Sequence, residues 1–383
     1  MKNDQTNHLG RKPTIVVYSY DDEASACSFI RILSPMLASN WNVIWASKRG
    51  SSGFSFNIEL AYQADVILIH RLFPSQGTEK ILRSIMALGI PVIYDLDDLF
   101  LDVPSCDHPT YQKFAPYIKW ILKEADIITV STIPLKVSLS KYTGRPIHVK
   151  PNMVNFNLFA TPLRVCNKQF NFLVSGTNTH QRDWAIIEEP IAEILKIYRE
   201  KVNVIFFGDT PKRFIDHPSV KIIDFQPNYK QYAAQLSELD VHAALIPLED
   251  TKYNQVKSNI KWLEYSATGI PGAYSDITPY SSCISHERNG LLVKNNSESW
   301  FNAINQLIID SEKTAHIIIN AQREVLERHS IENSLDKYTS TVNSLIGQVH
   351  KHDILSELPI AHYRLYNNIK ILVDKHITWR FKN

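Results

Sequence analysis

The stretch KSNIKWLEYSATGIPGAYSD, residues 257–276, contains the structural unit on which the fold prediction rests. Its first twelve residues carry apolar side chains at helical spacing, with Ile260, Leu263 and Ala267 on one stripe. Gly269 is placed to end that helix, Pro271 can begin the next strand, and a buried-strand pattern follows at 272–274. A second junction of this kind, GIPVIYD, occupies residues 89–95. The sequence therefore predicts a helix–strand unit in each half of the chain.

Short apolar runs rich in β-branched residues alternate with helical patterns along most of the chain. The runs lie at 14–18, 42–46, 66–70, 91–95 and 127–130, and then at 170–174, 202–207, 220–223, 241–246 and 272–274. The helical patterns lie at 79–88, 111–123, 184–198, 229–237 and 257–268, and they continue alone at 300–309, 316–328 and 331–346. Continuously apolar strands are typical of parallel sheets covered by helices on both faces. We therefore predict an α/β fold with two Rossmann-like, doubly wound domains and C-terminal helices.

A polar segment rich in Pro and Asn, PNMVNFNLFATPLRVCNKQ (151–169), is the predicted interdomain linker. The predicted domains are an N-terminal domain at 1–160, a second domain at 161–345 and a helical tail at 346–383. From Lys351 onward the tail is basic, and it carries four aromatic residues, Tyr363, Tyr366, Trp379 and Phe381. Two interpretations of the tail stay open: a helix that packs on the N-terminal domain, or an interfacial segment that contacts anionic lipid.

Composition excludes several functional classes. The 383 residues include 41 Lys plus Arg and 39 Asp plus Glu, and this near-neutral balance disfavours a nucleic-acid partner. Hydrophobic residues at 44% exclude a disordered chain. The four cysteines are far apart, which disfavours a zinc or redox pair, so we expect reduced thiols. With no secretory signal and no apolar run of about 20 residues, we expect a cytoplasmic protein that can still lie at the inner face of a membrane.

The polar side of the 257–268 pattern predicts an anion site. Lys257, Lys261 and Glu264 share a stripe at i, i+4, i+7 spacing, and the helix would start at the carboxyl ends of the strands. Free N–H groups there favour an anion, and a lysine in the first turn is unfavourable unless a phosphate binds. Glu264, two turns deeper, would reach a ribose hydroxyl pair. An exposed Lys–Glu face explains the spacing equally well.

Several stretches resemble the nucleotide-sugar domain of GT-B glycosyltransferases, most closely glycosyltransferase family 4. They are FLVSGTNTHQRDW (172–184), VNVIFFGD (202–209), LDVHAALIPLED (239–250), KSNIKWLEYSATGIP (257–271), SDITPY (275–280) and RNGLLV (288–293). The N-terminal half resembles the family only in GIPVIYDLDDLF (89–100) and ADIITVST (125–132). This resemblance implies two domains that face each other across a cleft, with the donor nucleotide in the C-terminal domain and the acceptor in the N-terminal domain.

The implied reaction is a retaining transfer of a sugar from a nucleotide-diphosphate donor to a hydroxyl group. We expect it to be metal-independent, because Lys257, Arg182 and a helix N-terminus can already neutralise the leaving group. The implied setting is bacterial surface-polysaccharide or glycoconjugate synthesis, without a cofactor. The expected partners are the nucleotide sugar and a saccharide, lipid-linked or protein acceptor, with no nucleic acid and with peripheral membrane contact through the tail.

The resemblance also implies a set of donor-binding residues. Glu264 matches the second acid of the family's paired-glutamate motif, which binds the donor ribose, whereas the first acid is replaced by Val256. Lys257 takes the diphosphate role, Arg182 resembles a basic residue near the diphosphate, and Asp183 is expected to be structural. His180 would contact a phosphate or the acceptor, or would be a surface histidine. The full predicted set is Gly176, Thr177, His180, Arg182, Lys257, Ser258, Asn259, Lys261 and Glu264.

Catalytic residues are predicted just beyond a buried strand of the first half. Asp95 ends the 91–95 run and Asp97 and Asp98 follow it, where a carboxylate can orient or deprotonate an acceptor hydroxyl. Asp102 belongs to the same segment, and helix capping is the structural alternative. The cluster also contains Asp-x-Asp, so a metal-dependent transferase stays open as an alternative.

Two further segments of the first half are candidates for this site. His70 and Arg71 would face the same opening or form a strand-end pair. The segment YSYDDEASACSFIR (18–31) follows the first predicted strand and lacks glycine. It contains the small residues Ser25, Ala26 and Ser28 and the basic Arg31. Because Val256 replaces an expected acid, a non-catalytic protein that binds a sugar or nucleotide sugar is the other alternative.

Overall fold

The computed structural model describes residues 11–51, 53–101, 111–161 and 169–346. Asp102, Cys106, Cys166 and the predicted tail beyond residue 346 lie outside these ranges. Two compact units are present. The first unit consists of the described residues up to Glu23, of Ile32–Lys150 and of those from Leu335 onward. The second unit consists of Ala24–Arg31 and Pro151–Ser334.

The first unit is built on a parallel six-stranded sheet. Its strands, together with a separate hairpin, are β1 Thr14–Tyr18, β2 Asn42–Trp45, β3 Ser47–Gly50, β4 Gly53–Phe56, β5 Val66–His70, β6 Val92–Leu96, β7 Ile127–Val130 and β8 Ile147–Val149. The helices of this unit are α2 Ser34–Ala38, α3 Glu79–Met86, α4 Ala115–Glu124 and α5 Ile133–Ser140, whereas α1 Ala26–Ser28 belongs to the second unit. The sheet order is β2-β1-β5-β6-β7-β8, and β3 pairs antiparallel with β4 outside it. Since the strand order reverses at β1 and β5, polar residues beyond those strands are placed to bind a ligand.

The second unit repeats this architecture with another strand order. Its strands are β9 Phe170–Gly176, β10 Val202–Gly208, β11 Val220–Ile223, β12 Ala243–Ile246, β13 Gly272–Ser275 and β14 Leu291–Val293. Its helices are α6 Gln181–Trp184, α7 Glu188–Tyr198, α8 Tyr229–Glu238, α9 Lys252–Gln255, α10 Ile260–Thr268, α11 Thr278–Ser281, α12 Ser297–Ile309 and α13 Ser311–His329, and α14 Ile331–Asn343 follows. The parallel order β11-β10-β9-β12-β13-β14 is that of a dinucleotide-binding sheet, with the reversal between β9 and β12.

The predicted fold class is confirmed: each unit is a parallel sheet in an α/β arrangement. Every strand predicted from a buried apolar run is present, whereas the β3–β4 hairpin, β8 and β14 were not predicted as strands. Gly269 ends α10 in a left-handed conformation at φ 76°, as the pattern indicates. In the part of the chain that the structure describes, no helix has the length and apolar character needed to cross a membrane.

One helix boundary changes the interpretation of the lysine stripe. The prediction that the helix includes Lys257 is wrong, because α10 begins at Ile260 and Asn259 precedes it. Thr251 caps the short helix α9 by accepting from the backbone N–H of Asn254 at 3.1 Å. The chain then turns, and the N–H of Lys257 donates to the carbonyl of Asn254 at 3.2 Å. Lys257 therefore lies in the turn before α10, not on the helix face of Lys261.

Candidate functional site

Lys261 places an ammonium group at the carboxyl end of β9. Its Nζ donates to Ser175 Oγ at 2.7 Å, and the Tyr265 hydroxyl shares that Oγ at 2.6 Å. The same Nζ lies 5.5 Å from the ring centroid of Tyr232 and 5.7 Å from that of Tyr265. Among the described residues Lys261 has no carboxylate within ion-pair distance. A half-buried cation with no carboxylate within ion-pair distance is suited to bind an anion.

Lys257 is a second half-buried cation, in the turn before α10. Its Nζ lies 4.9 Å above the centroid of the Tyr253 ring, and within the described ranges it has no ion pair. Asn259 does not cap α10 through its side chain, which instead hydrogen-bonds to the thiol of Cys283. Burial raises the pKa of Cys283 to about 11. The first N–H groups of α10 are thus left without a side-chain cap.

Ser258, in the same turn, is part of a buried polar chain. Its Oγ accepts from Asn152 Nδ2 at 2.8 Å, and Asn152 Oδ1 accepts from Arg31 Nη1 at 3.1 Å. Arg31 is only 1% exposed, so its side chain is buried and not solvated. Val256, at the expected position of the first acid, is buried and contributes no charge.

Glu264 lies inside the second unit, with 3% of its surface exposed. Its carboxylate accepts from the Tyr232 hydroxyl at 3.2 Å and from the Tyr229 hydroxyl. Burial raises the pKa of Glu264, and the positive charge of Lys261 partly offsets that rise. Desolvation also raises the pKa of both tyrosines well above 10, so they are neutral donors to this carboxylate at pH 7.

The loop after β9 is organised by Asp183. His180 Nδ1 lies 2.7 Å from one carboxylate oxygen, while the other accepts from the Glu249 N–H at 2.7 Å and from Asn254 Nδ2 at 3.2 Å. Gly176 is required here because a Cβ would lie 2.8 Å from the ring of His180. Asp183 therefore connects the loop to the segment that leads into Lys257. The sequence indicates a structural role for Asp183 but carries no signal for that connection.

Two other predicted loop residues point to solvent or to local partners. Arg182 is exposed, and its Nη2 lies 2.7 Å from Glu249 Oε1, so its charge is already paired. The Thr177 hydroxyl bonds to the Thr179 hydroxyl at 2.9 Å. The structure thus joins Lys261 to Ser175 and His180 to Asp183, whereas Arg182 is held by Glu249.

In the first unit, three carboxylates surround one arginine, and we name Asp21, Arg71, Asp97 and Asp98 the acid–arginine cluster. The Arg71 guanidinium lies 3.2 Å from Asp21, 2.6 Å from Asp97 and 3.7 Å from Asp98. Arg71 adopts φ 49°, a conformation that costs about 1–2 kcal/mol for a residue other than glycine. The Tyr94 hydroxyl fixes this backbone by donating to the Arg71 carbonyl at 2.9 Å. Asp21 was not among the predicted site residues.

Asp95 and His70 lie beneath the acid–arginine cluster. Asp95 is buried, and its Oδ2 accepts from Thr129 Oγ1 at 2.5 Å. His70 is buried too, with Nδ1 3.0 Å from Ser19 Oγ and Nε2 4.0 Å from Asp95 Oδ1. Burial lowers the pKa of His70, so the imidazole is neutral at pH 7. Within the described ranges, no group of three His, Cys, Asp or Glu side chains is arranged to hold a metal ion.

No model of a protein family matches the sequence, and no curated protein matches it significantly. Solved structures do match. Sucrose-phosphate synthase from Thermosynechococcus elongatus aligns with a TM-score of 0.65 at 12% identity, over 88% of this chain and 99% of that one. HepE from Anabaena, solved with UDP and glucose, aligns with a TM-score of 0.63 at 15% identity, over 87% and 100%. A glycosyltransferase from Rickettsia africae gives 0.57 at 13% identity, over 88% and 100%.

The chain has the GT-B fold. At these identities the similarity shows the fold alone. Conclusions about the chemistry of this GT-B chain therefore depend on its own side chains, above all the two lysines of the second unit and the acid–arginine cluster of the first.

Proposed function

We propose that this GT-B chain is a glycosyltransferase that moves a sugar from a nucleotide-diphosphate donor to a hydroxyl group. One observation carries the proposal: Lys261 is held at the carboxyl end of β9 with no carboxylate within ion-pair distance among the described residues. Ser175 and two tyrosine rings fix the ammonium. Lys257 and the uncapped start of α10 lie immediately before Lys261 in the chain. A diphosphate supplies the negative charge that this arrangement lacks.

The reaction breaks the bond between the anomeric carbon and the donor diphosphate, and it forms a bond from that carbon to the acceptor oxygen. Negative charge grows on the diphosphate as it leaves, while the acceptor hydroxyl loses its proton. Lys261, Lys257 and the first N–H groups of α10 would stabilise the departing charge more strongly in the transition state than before it.

Glu264 is proposed to accept hydrogen bonds from the ribose hydroxyls of the donor, as the resemblance to glycosyltransferase family 4 implies. The hydroxyls of Tyr229 and Tyr232 fix the orientation of its carboxylate. The two tyrosine donors occupy two of the roughly four lone-pair positions of the carboxylate, and the others are proposed to meet the ribose hydroxyls. Uracil is the proposed base, because the similar HepE structure contains UDP.

The first unit is proposed to bind the acceptor at the acid–arginine cluster. Asp98 is the most suitable of the predicted aspartates to receive the hydroxyl proton, since 22% of its side chain is exposed and Arg71 is 3.7 Å away. Asp97 is bonded to Arg71, and the buried Asp95 is bonded to Thr129, so both would position the cluster.

Retention of configuration and a role in bacterial surface-polysaccharide synthesis are proposed on the family resemblance. Metal-independent transfer is proposed because the Arg71 guanidinium already lies within ion-pair distance of both Asp97 and Asp98 and neutralises charge that a cation would otherwise balance. Insensitivity of turnover to a chelator would support this last proposal, and its loss would favour the metal-dependent alternative.

A panel of nucleotide diphosphates and their sugars tests the function. With the full chain, UDP at about 100 times its dissociation constant should stabilise the fold by about 2.7 kcal/mol, which raises the thermal unfolding midpoint. UDP-glucose and other UDP-sugars should then be consumed with release of UDP. Binding without turnover, with acceptors supplied, would favour the non-catalytic alternative. The absence of stabilisation by any nucleotide diphosphate would contradict both.

A further inference from the structure

The β3–β4 hairpin of the first unit has two different faces. Arg49 lies opposite Phe54 and Ser47 lies opposite Phe56, so these four side chains share one face of the hairpin. Lys48 and Ser55 form an opposite pair on the other face. The hairpin thus presents one basic residue on each face, and only one of these faces is aromatic.

The aromatic face is completed by Tyr20, which follows β1. The Tyr20 ring makes edge contacts with Phe54 at 5.7 Å and with Phe56 at 5.3 Å, and Phe56 makes an edge contact with Phe73 at 5.0 Å. Phe73 is buried, whereas Tyr20, Phe54 and Phe56 are half-buried. These rings are held in fixed orientations by their neighbours and still present surface to solvent.

Hydrogen bonds connect this face to the acid–arginine cluster. Ser47 Oγ accepts from the N–H of Ser19 at 2.9 Å. The Oγ of Ser19 in turn accepts from the N–H of Asp21 at 2.9 Å and lies 3.0 Å from His70 Nδ1. The aromatic face therefore adjoins the cluster that we propose to bind the acceptor hydroxyl.

Arg49 gives the aromatic face a positive charge. Its Cζ lies 6.0 Å from the Phe54 ring centroid, and its side chain is exposed. In the described part of the chain neither Arg49 nor Lys48 has an ion pair. An aromatic ring packs well against the C–H face of a sugar ring, while a guanidinium pairs with a carboxylate or a phosphate.

We propose that Tyr20, Phe54, Phe56 and Arg49 form a subsite for a saccharide acceptor that carries a carboxylate or a phosphate. The inference rests on the proposed function and adds the chemical class of its acceptor. A saccharide fits better than a lipid surface because Phe54 and Phe56 are half-buried against Tyr20, whereas insertion into a membrane needs protruding rings.

Binding measurements on the full chain test the subsite. The probes are hexagalacturonate, pentamannosyl phosphate, neutral maltohexaose, and vesicles of equal phosphatidylglycerol and phosphatidylcholine. At least one anionic saccharide should bind more tightly than maltohexaose, and Arg49→Gln should weaken that binding about tenfold, since a charge-assisted hydrogen bond is lost. The two anionic probes distinguish a carboxylate from a phosphate. Phe54→Leu, which keeps an apolar side chain, should weaken binding of the same probe.

Lys48→Gln is the matched control, because it removes the same charge from the other face of the hairpin. Equal losses in the Lys48 and Arg49 variants would overturn the proposal, as would equal affinity for maltohexaose or binding to the vesicles alone. UDP stabilisation, measured in parallel, distinguishes the two proposals. A normal UDP response with no saccharide binding would refute only the subsite, whereas Arg49-dependent saccharide binding without any UDP response would refute only the donor assignment.

Discussion

Replacement of Lys261 by methionine should weaken the binding of UDP without unfolding the protein. The Lys261 ammonium is fixed by a 2.7 Å hydrogen bond to Ser175, and among the described residues no carboxylate lies within ion-pair distance of it. A charged hydrogen bond of this kind is worth about 1.5–3 kcal/mol. A loss of about 2 kcal/mol corresponds to a dissociation constant about 30-fold higher. Methionine keeps the apolar stem of the side chain, so its packing against Tyr232 and Tyr265 is retained.

The assay is isothermal calorimetry with UDP and the full chain, with thermal unfolding to show that each variant is folded. Lys252→Met is the matched control, because Lys252 is an exposed lysine of the preceding short helix α9. A rim charge of this kind should change the affinity by no more than about twofold. Wild-type affinity in a folded Lys261→Met variant, or equal losses in both variants, would refute the assignment of Lys261 to the diphosphate.

Three predictions concern the stability of the fold. Burial raises the pKa of Glu264 above 4.5, so its contribution to stability is present below pH 4.5 and is lost as the pH rises through the folded-state pKa. In denaturant titrations, the wild type should therefore lose stability relative to Glu264→Gln as the pH rises from 4.5 through that pKa. Burial lowers the pKa of His70 below 6.5, so the wild type should lose stability relative to His70→Asn as the pH falls below 6.5, and a pH-independent difference would contradict this. Gly208 has φ 115°, and a Cβ there would clash with the Gly176 carbonyl oxygen. Gly208→Ala should therefore cost about 3 kcal/mol of unfolding free energy. The control Gly144→Ala should cost little, because the space around Gly144 is open.

The fold could be predicted because most of its strands coincide with continuous apolar runs in the sequence. Runs such as 66–70 have little alternative to a parallel strand covered on both faces, and the structure confirms them. The β3–β4 hairpin was missed because SKRG contains no apolar side chain and GFSF alternates over only four positions. The edge strands β8 and β14, at three residues each, are too short to give a periodic signal.

The candidate site was harder to predict, because its geometry depends on tertiary contacts. The prediction that Lys257 and Lys261 share one helix face was wrong, because Thr251 caps a separate short helix upstream. Asp21 carries no local signal that distinguishes it from Asp22, and only the position of Arg71 does so. Likewise, the connection from Asp183 to Asn254 joins residues far apart in sequence. Residue types at strand ends predicted where a site would form, but not which side chains would pair there.

Release of UDP from UDP-sugars, measured with the full chain and a panel of saccharide acceptors, tests the proposed sugar transfer most directly. Wild-type protein should release UDP together with a glycosylated product, and Lys261→Met should slow that release while Lys252→Met does not. No release from any UDP-sugar, or release at the wild-type rate by folded Lys261→Met protein, would contradict the account.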